Sequence, residues 1–339
     1  MTFAQNFDSW RSWIPISMPQ PAWISADAPD IDVVLSSRGR VMRNLQAQKF
    51  PHTASDEERI EVMRQILDAA KGSPLDLDVH RSLTVAERDY LVGCRLVSPE
   101  FPWTEPGRAV LLDRRNALSI MINEEDHLRV QSLSAGLSLE SAEQAAMQAV
   151  TALSYNLEFA VSPRFGYLSA SYINVGHGKR LSAMFHLIGL AQSRRLHSVI
   201  NALSSRKIVV RGLFGEASRA VGAFAQISTT AQNNAEFAGA CEYLLSEERL
   251  ARIAVGRVRL QERANQAREF VLSSPILSLA DSLRTLGWLR WAAASEIQGF
   301  HIKPREVDMA LAVLESRNSA SPQQQARQRA QFLRQVIEA

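Results

Sequence analysis

The stretch Asn123-Glu124-Glu125-Asp126-His127-Leu128-Arg129-Val130-Gln131 sets three carboxylates, an imidazole and a guanidinium directly after the apolar run Ala117-Leu118-Ser119-Ile120-Met121-Ile122. The apolar run reads as a buried strand. So many ionisable groups at its end are hard to explain by packing. If the segment stays extended, Glu125, His127 and Arg129 point one way and Glu124 and Asp126 the other. One face then offers an acid to a cation and an arginine to an anion, which suits a reaction between a basic substrate and a phosphate. A solvated acidic turn at a strand end is the plainer alternative.

Two further stretches carry matching chemistry. In Asp32-Val33-Val34-Leu35-Ser36-Ser37-Arg38-Gly39-Arg40 a short apolar strand leads into two arginines that period two puts on one face. Paired arginines can clamp a polyphosphate, although a solvated edge strand would look the same. Ile208-Val209-Val210-Arg211-Gly212-Leu213-Phe214-Gly215-Glu216 is another strand, followed by a turn with an arginine and a glutamate. Between them, Phe165 to Arg180 contains a glycine loop, Gly176-His177-Gly178, and the spacing predicts an apolar helix over 182–190. A glycine loop before a helix lets backbone N–H groups approach an anion, but Gly-x-Gly alone is weak evidence.

The elements that must position these groups follow from pattern. Residues 1–31 hold Trp10, Trp13 and Trp23 among several prolines and read as an irregular arm pinned by its tryptophans. Ser55-Asp56-Glu57-Glu58 is a capping box opening a helix that Gly72 ends. Thr84 to Cys94 is a second helix, residues 109–112 and 118–122 a strand pair, and Leu139 to Tyr155 a long helix. Residues 223–228 return as a strand. From Ala238 the pattern is helical: an amphipathic stretch from Glu247 to Phe270, then Leu277 to Ala294, Pro304 to Leu314 and Gln323 to Ile337. The reading is a mixed α/β body over 32–255 and a small helical domain over 256–339.

The bulk numbers exclude little. With 339 residues, 46% of them hydrophobic, the chain can bury a large core. A net charge of +3 gives no argument for nucleic acid. Only 5 of the 38 basic residues are lysine, an imbalance that base composition alone can produce. Cys94 and Cys241 are in no metal spacing and read as buried thiols. No apolar run reaches the ~18 residues of a membrane span, and no basic-then-apolar leader is evident, so a cytoplasmic protein is expected.

Taken in order, these stretches resemble the ATP:guanido phosphotransferase family, most closely its bacterial protein-arginine kinase branch. Leu35 to Arg40 resembles the family's Ser-Ser-Arg-x-Arg segment, and Asn123 to Arg129 matches its Asn-Glu-Glu-Asp-His-Leu-Arg unchanged. Gly166 to Arg180 resembles its signature loop, and Arg211 to Glu216 its Arg-Gly-x-x-Gly-Glu. The short lead before Ser36 and the helices after the body also fit that branch.

The resemblance implies an α+β fold: a guanido kinase catalytic domain, with an antiparallel sheet flanked by helices, followed by a small all-α C-terminal domain. It implies ATP-dependent phosphoryl transfer to the guanidinium of arginine residues in proteins, with ATP and Mg2+ as cofactors. Glu125 and Glu216 match the family's carboxylate pair, and Arg38, Arg40, Arg129, Arg180 and Arg211 its phosphate-binding set. Ser36, Ser37, Arg95, Leu181, Ser182, Ala183, Met184, Gly212 and Gly215 are expected in the nucleotide site. No protein metal ligands are expected, because magnesium can be held by phosphates and water. Partners implied are arginine-bearing protein substrates, Clp-type degradation machinery and a second copy in a homodimer, with no nucleic acid and no membrane.

The sequence also departs from the family. Ser171 stands where the family has a reactive cysteine, within Ser171-Tyr172-Ile173-Asn174-Val175-Gly176-His177-Gly178 rather than Cys-Pro-(Ser/Thr)-Asn-x-Gly-Thr-Gly. Arg95 stands where a nucleotide-contacting histidine is expected. Gln325 to Ala330 keeps only Arg329 and Ala330 of the branch's phosphoarginine-binding Arg-Asp-x-x-Arg-Ala. Two alternatives therefore stand beside the kinase reading: a catalytically impaired nucleotide-binding regulator, and a kinase of a free guanidino metabolite.

Overall fold

A computed structural model describes residues 13–15, 17–25, 27–204, 208–212, 220–229, 233–314 and 321–338. In chain order the strands are β1 (Val34–Arg43), β2 (Leu77–His80), β3 (Ala109–Asp113), β4 (Leu118–Ile122), β5 (Leu128–Ala135), β6 (Val161–Ser162), β7 (Gly166–Tyr167), β8 (Lys179–His186), β9 (Ile208–Gly212) and β10 (Phe224–Thr229). The helices are α1 (Asp56–Lys71), α2 (Val85–Gly93), α3 (Leu139–Ser154), α4 (Ile188–Gln192), α5 (Leu196–Ser204), α6 (Asn234–Val255), α7 (Arg257–Ser273), α8 (Leu279–Ala294), α9 (Pro304–Val313) and α10 (Pro322–Glu338).

Eight of the strands form one antiparallel sheet in the order β2-β3-β4-β5-β1-β8-β10-β9. Alternation along each strand sorts side chains to its two faces. On one face Val41, Leu111, Ile120 and Val130 meet α1 and α3, and Leu181, Ala183 and Phe185 meet Phe237 and Leu244 of α6. On the other, Leu35, Val110, Met121, Leu133 and Met184 share a core with α2, α8, α9 and α10. Helices 257–338 thus complete the second face, and the chain breaks between α6 and α7 at Gly256, whose φ of 88° a helix does not accept.

The local signals hold where capping chemistry is explicit. Ser55 and Glu58 close a capping box on α1, as do Thr84 and Glu87 on α2. The arm is pinned as its tryptophans suggest: Trp23 is buried and its Nε1 donates to Cys94 O at 3.0 Å, while Trp13 packs on Phe332 with ring centroids 4.2 Å apart. Trp10 lies outside the described residues. Both cysteines are buried and free.

Two expectations are corrected. Residues 182–190 are not a helix: Lys179–His186 is strand β8, hydrogen-bonded to β1 on one side and β10 on the other, and only Ile188–Gln192 is helical. A short apolar run fits either element by period alone, and pairing on both sides decides it. The glycine loop at 176–178 therefore does not open a helix. The amphipathic stretch 247–270 is likewise two helices, because of Gly256.

Candidate active site

β1 is the centre of the sheet rather than an edge, and its pocket-facing residues run Arg38, Arg40, Met42. Neighbouring strands supply matching positions: Arg40 is paired with Arg180 on β8 and Gln131 on β5, and Met42 with Arg129. Arg211 arrives from β9 through its pairing with Gln226 of β10. Alternation and register thus converge Arg38, Arg40, Arg129, Arg180 and Arg211, with Arg95 from the segment after α2, on one cavity of about 680 Å³.

So many cations in one cavity repel one another. Burial, then Arg129, Arg95, Arg180 and Arg211, bring the Arg38 guanidinium down to about 9. Burial followed by Arg38 and Arg129 pushes Arg40 well below the usual arginine range. Arg40 is 8% exposed, and its Nε and Nη2 have no hydrogen-bond partner among the described residues. Buried donors without acceptors are costly. A cluster of this kind is completed by a polyanion. Arg38 is braced across the sheet by Nε to Ser182 Oγ at 3.3 Å and Nη2 to Gln226 Oε1 at 2.9 Å.

The acidic stretch is not extended. Residues 123–127 form a turn joining β4 to β5, closed by Asn123 N donating to His127 O at 3.0 Å, with Asn123 at φ 57°. The expected face of Glu125, His127 and Arg129 is therefore corrected. Asn123 Nδ2 donates to Gly107 O and Arg59 O, at 2.7 and 2.9 Å. Buried His127 accepts at Nδ1 from Leu45 N, 3.0 Å away, with Nε2 2.9 Å from Lys49 O. Glu124, Glu125 and Asp126 instead reach the cavity together with Arg129.

The three acids have different environments. Arg129 Nη1 donates to Glu124 Oε1 and Oε2 at 2.6 and 2.7 Å, and Ser98 Oγ also donates to Glu124. Burial favours the protonated form of Glu124, but Arg129 and Ser98 outweigh it and hold its pKa below the usual value. Asp126, 1% exposed, accepts from Asn44 Nδ2, Ala170 N and Ser169 Oγ at 2.6, 2.7 and 2.8 Å. It thereby ties the turn to the loop that carries Ser171. The Glu125 carboxylate accepts no hydrogen bond from the described residues; desolvation, then Asp126 and Glu124, raise its pKa against the pull of Arg129 and Arg180. A carboxylate left free and made more basic at the rim of a cationic cavity is suited to accept a proton.

The expected residues divide accordingly. Arg38, Arg40, Arg95, Arg129, Arg180, Arg211, Gly212, Glu125 and Ser171 line the one cavity. Ser36, Ser182 and Met184 border a narrow recess beside it with Arg38 and Arg95. Ser37 is structural, donating to Gly136 O and accepting from Ser138 N. Ala183 borders the same recess, although its side chain, like that of Leu181, is packed in the core on the opposite sheet face. Gly215 and Glu216 lie outside the described residues. His177 is exposed and does not line the cavity. Sequence reasoning turned Glu124 to the face away from Glu125 and gave Ser98, Gln226 and Trp23 no place in the site; for Gln226 the alternation in β10 was a signal.

This sheet, with an arginine-lined cavity facing a free carboxylate, defines a phosphoryl-transfer type of site. The family model for the ATP:guanido phosphotransferase C-terminal catalytic domain matches residues 59–246. A protein-arginine kinase of Shouchella clausii is 34% identical over 284 residues, 79% of each chain, and one of Halothermothrix orenii 35% over 277, covering 78% of this chain and 79% of that one. The chain therefore belongs to the ATP:guanido phosphotransferase family. Among solved structures, a lombricine kinase superposes with a TM-score of 0.56 at 22% identity, covering 73% of this chain and 76% of that one. The duplicated taurocyamine kinase of Schistosoma mansoni with bound transition-state analogue components gives 0.58 at 21%, covering 79% and 42%. These two share the fold. Among the described residues no helix is long and apolar enough to cross a membrane.

Proposed function

We propose that this chain transfers the γ-phosphoryl group of ATP to the guanidinium of arginine residues in proteins. The observation that carries the reading is the free, basicity-enhanced Glu125 facing the arginine-lined cavity, in a chain whose relatives include protein-arginine kinases. A guanidinium arrives protonated and non-nucleophilic. Glu125 aligns it and takes one N–H proton; the nitrogen lone pair forms the N–P bond as the γ-phosphorus loses its bond to the β-γ bridging oxygen, and ADP leaves. Arg38, Arg40, Arg129, Arg180 and Arg211 hold the triphosphate in line and offset the charge that shifts to the leaving oxygen. Magnesium comes with ATP as part of the substrate.

The test is transfer from ATP labelled at the γ position to an arginine-rich protein, with acid-labile label recovered on arginine. Label no higher than with Glu125→Gln ends the proposal. Ser171, in place of the family cysteine, is the observation favouring a nucleotide-binding regulator instead. ATP binding without transfer, unchanged in Ser171→Cys, is the result that selects that reading.

A further inference from the structure

The loop that carries Ser171 is held in place at several points. Tyr167 and Gly176 exchange backbone hydrogen bonds, at 2.8 and 3.0 Å, and so close residues 168–175 into a loop. At this closure the Arg43 guanidinium lies 3.5 Å from the Tyr167 ring centroid, and its Nη1 donates to His177 O at 3.1 Å. Leu168 O accepts from Asn44 Nδ2, and Ser169 and Ala170 donate to Asp126, the neighbour of Glu125. These bonds fix the loop beside the turn that presents the candidate base.

The tip of the loop is one 3-10 turn, Tyr172–Asn174, in which Asn174 N donates to Ser171 O at 2.9 Å. Its three side chains have different fates. Asn174 is buried, Ile173 lines the cavity yet is 40% exposed, and Tyr172 is 88% exposed. With the loop anchored on both sides, this exposure is imposed by the fold and is not fraying. The family pattern has proline and a small hydroxyl residue at these two positions, so the bulk belongs to this chain. Large apolar side chains held in water beside a site mark a contact surface. Ile173 belongs both to the cavity and to this surface, so the surface is continuous with the place where the acceptor guanidinium enters.

An arginine in a protein brings its neighbours with it. In an extended segment, side chains two residues apart share a face and stand about 7 Å from one another. When the arginine side chain enters the cavity, the adjacent residues point away, and those two positions before and after it face the mouth. Resting on the kinase reading above, we infer that Tyr172 and Ile173 select the acceptor by its sequence context: they receive an aliphatic or aromatic side chain two residues from the target arginine in an extended segment of the substrate protein. A free guanidino compound has nothing to place on this surface.

The experiment gives the intact protein three acceptors of matched charge: a short peptide with a single arginine and leucine two residues to either side, the same peptide with glycine at those positions, and N-acetylarginine amide. For the wild type, kcat/KM is expected to be about tenfold higher with the leucine peptide than with the glycine peptide, chiefly through KM, the effect of one apolar contact. Tyr172→Ser and Ile173→Thr are each expected to bring that ratio down to about twofold or less. A wild-type ratio near one, or the same ratio in the wild type and both variants, overturns the selection while leaving the kinase reading intact. Self-association of the wild type that is lost in Tyr172→Ser, with the peptide ratio unmoved, gives the surface to a second copy of the chain and also overturns it. Transfer to none of the three acceptors overturns the kinase reading and the selection with it. Because the readout is a ratio between two peptides on one protein sample, a variant that folds in part still reports it.

Discussion

Arg129 grips Glu124, not its neighbour Glu125: one Nη1 contacts both oxygens of Glu124 at 2.6 and 2.7 Å, and the adjacent carboxylate accepts no hydrogen bond from the described residues. The turn thus separates two identical side chains into a brace and a base. Glu125→Gln is expected to lower phosphoryl transfer on the order of 10²–10⁴-fold with nucleotide binding retained, and Glu124→Gln much less. Single-turnover transfer and ATP titration of both variants check this.

The same pair fixes the sign of a pH effect. Glu125 acts ionised and its pKa is raised in the ligand-free protein, so the acid limb of kcat/KM is shifted upward from the ordinary glutamate value. Arg129 lowers that pKa and Glu124 raises it. Arg129→Ala should therefore move the limb to higher pH and Glu124→Gln to lower pH. For folding, a raised carboxylate pKa favours the native state at low pH, and that contribution is lost as pH rises through the raised value. pH–rate profiles of the two variants check the opposite shifts.

The arginine cluster is unfavourable until an anion enters. Arg38 is lowered to about 9, so the unfolded chain binds the proton more tightly, and stability should rise as pH climbs from about 9 toward the usual arginine range. At neutral pH the penalty is fully present. Arg40→Met should raise the melting temperature of the ligand-free protein, on the order of 2 °C, and weaken ATP on the order of 10²-fold. Thermal scans with and without ATP read both effects.

Asp126 positions rather than reacts. Removing it in Asp126→Ala leaves Asn44, Ser169 and the Ala170 N–H without their acceptor and is expected to cost about 3 kcal/mol. The loop with Ser171 is then no longer tied to the turn with Glu125, so kcat should fall further than KM rises. Denaturant titration and steady-state kinetics separate the two losses.

Where the second sheet face meets the C-terminal helices, Arg290 and Asp308 form a pair that is 0% and 2% exposed, at 2.7 Å. Arg290 also donates to Ile31 O and Asp32 O, at 2.8 and 3.2 Å, next to the start of β1. Asp308→Ala strands a buried cation and is expected to cost about 3–5 kcal/mol. Urea unfolding of the variant is the measurement.

Much of this was readable in the residues, for physical reasons that differ by segment. The capping box at Ser55 is local chemistry and marked α1 directly. Period two placed Arg38 and Arg40 together because β1 is a regular strand. The face of Glu125 was misread because a turn residue at positive φ, Asn123, breaks the period just before it. β8 was misread as helix because an apolar run has no preference until its neighbours pair with it. The contact of Trp23 with Arg95, beside Leu311 and Ala312 of α9 in one cavity lining, joins distant parts of the chain, and no local pattern announces it.

Gly39 lies between the two arginines of β1, and a Cβ there would stand 2.5 Å from the carbonyl oxygen of Ala142 in α3. The middle strand is therefore seated with its backbone flat on a helix, which leaves it no room to slide or tilt. The grip on the phosphates inherits its rigidity from a missing methyl group on the far side of the sheet. Anything larger at that position would lever both guanidinium groups out of line without touching either of them.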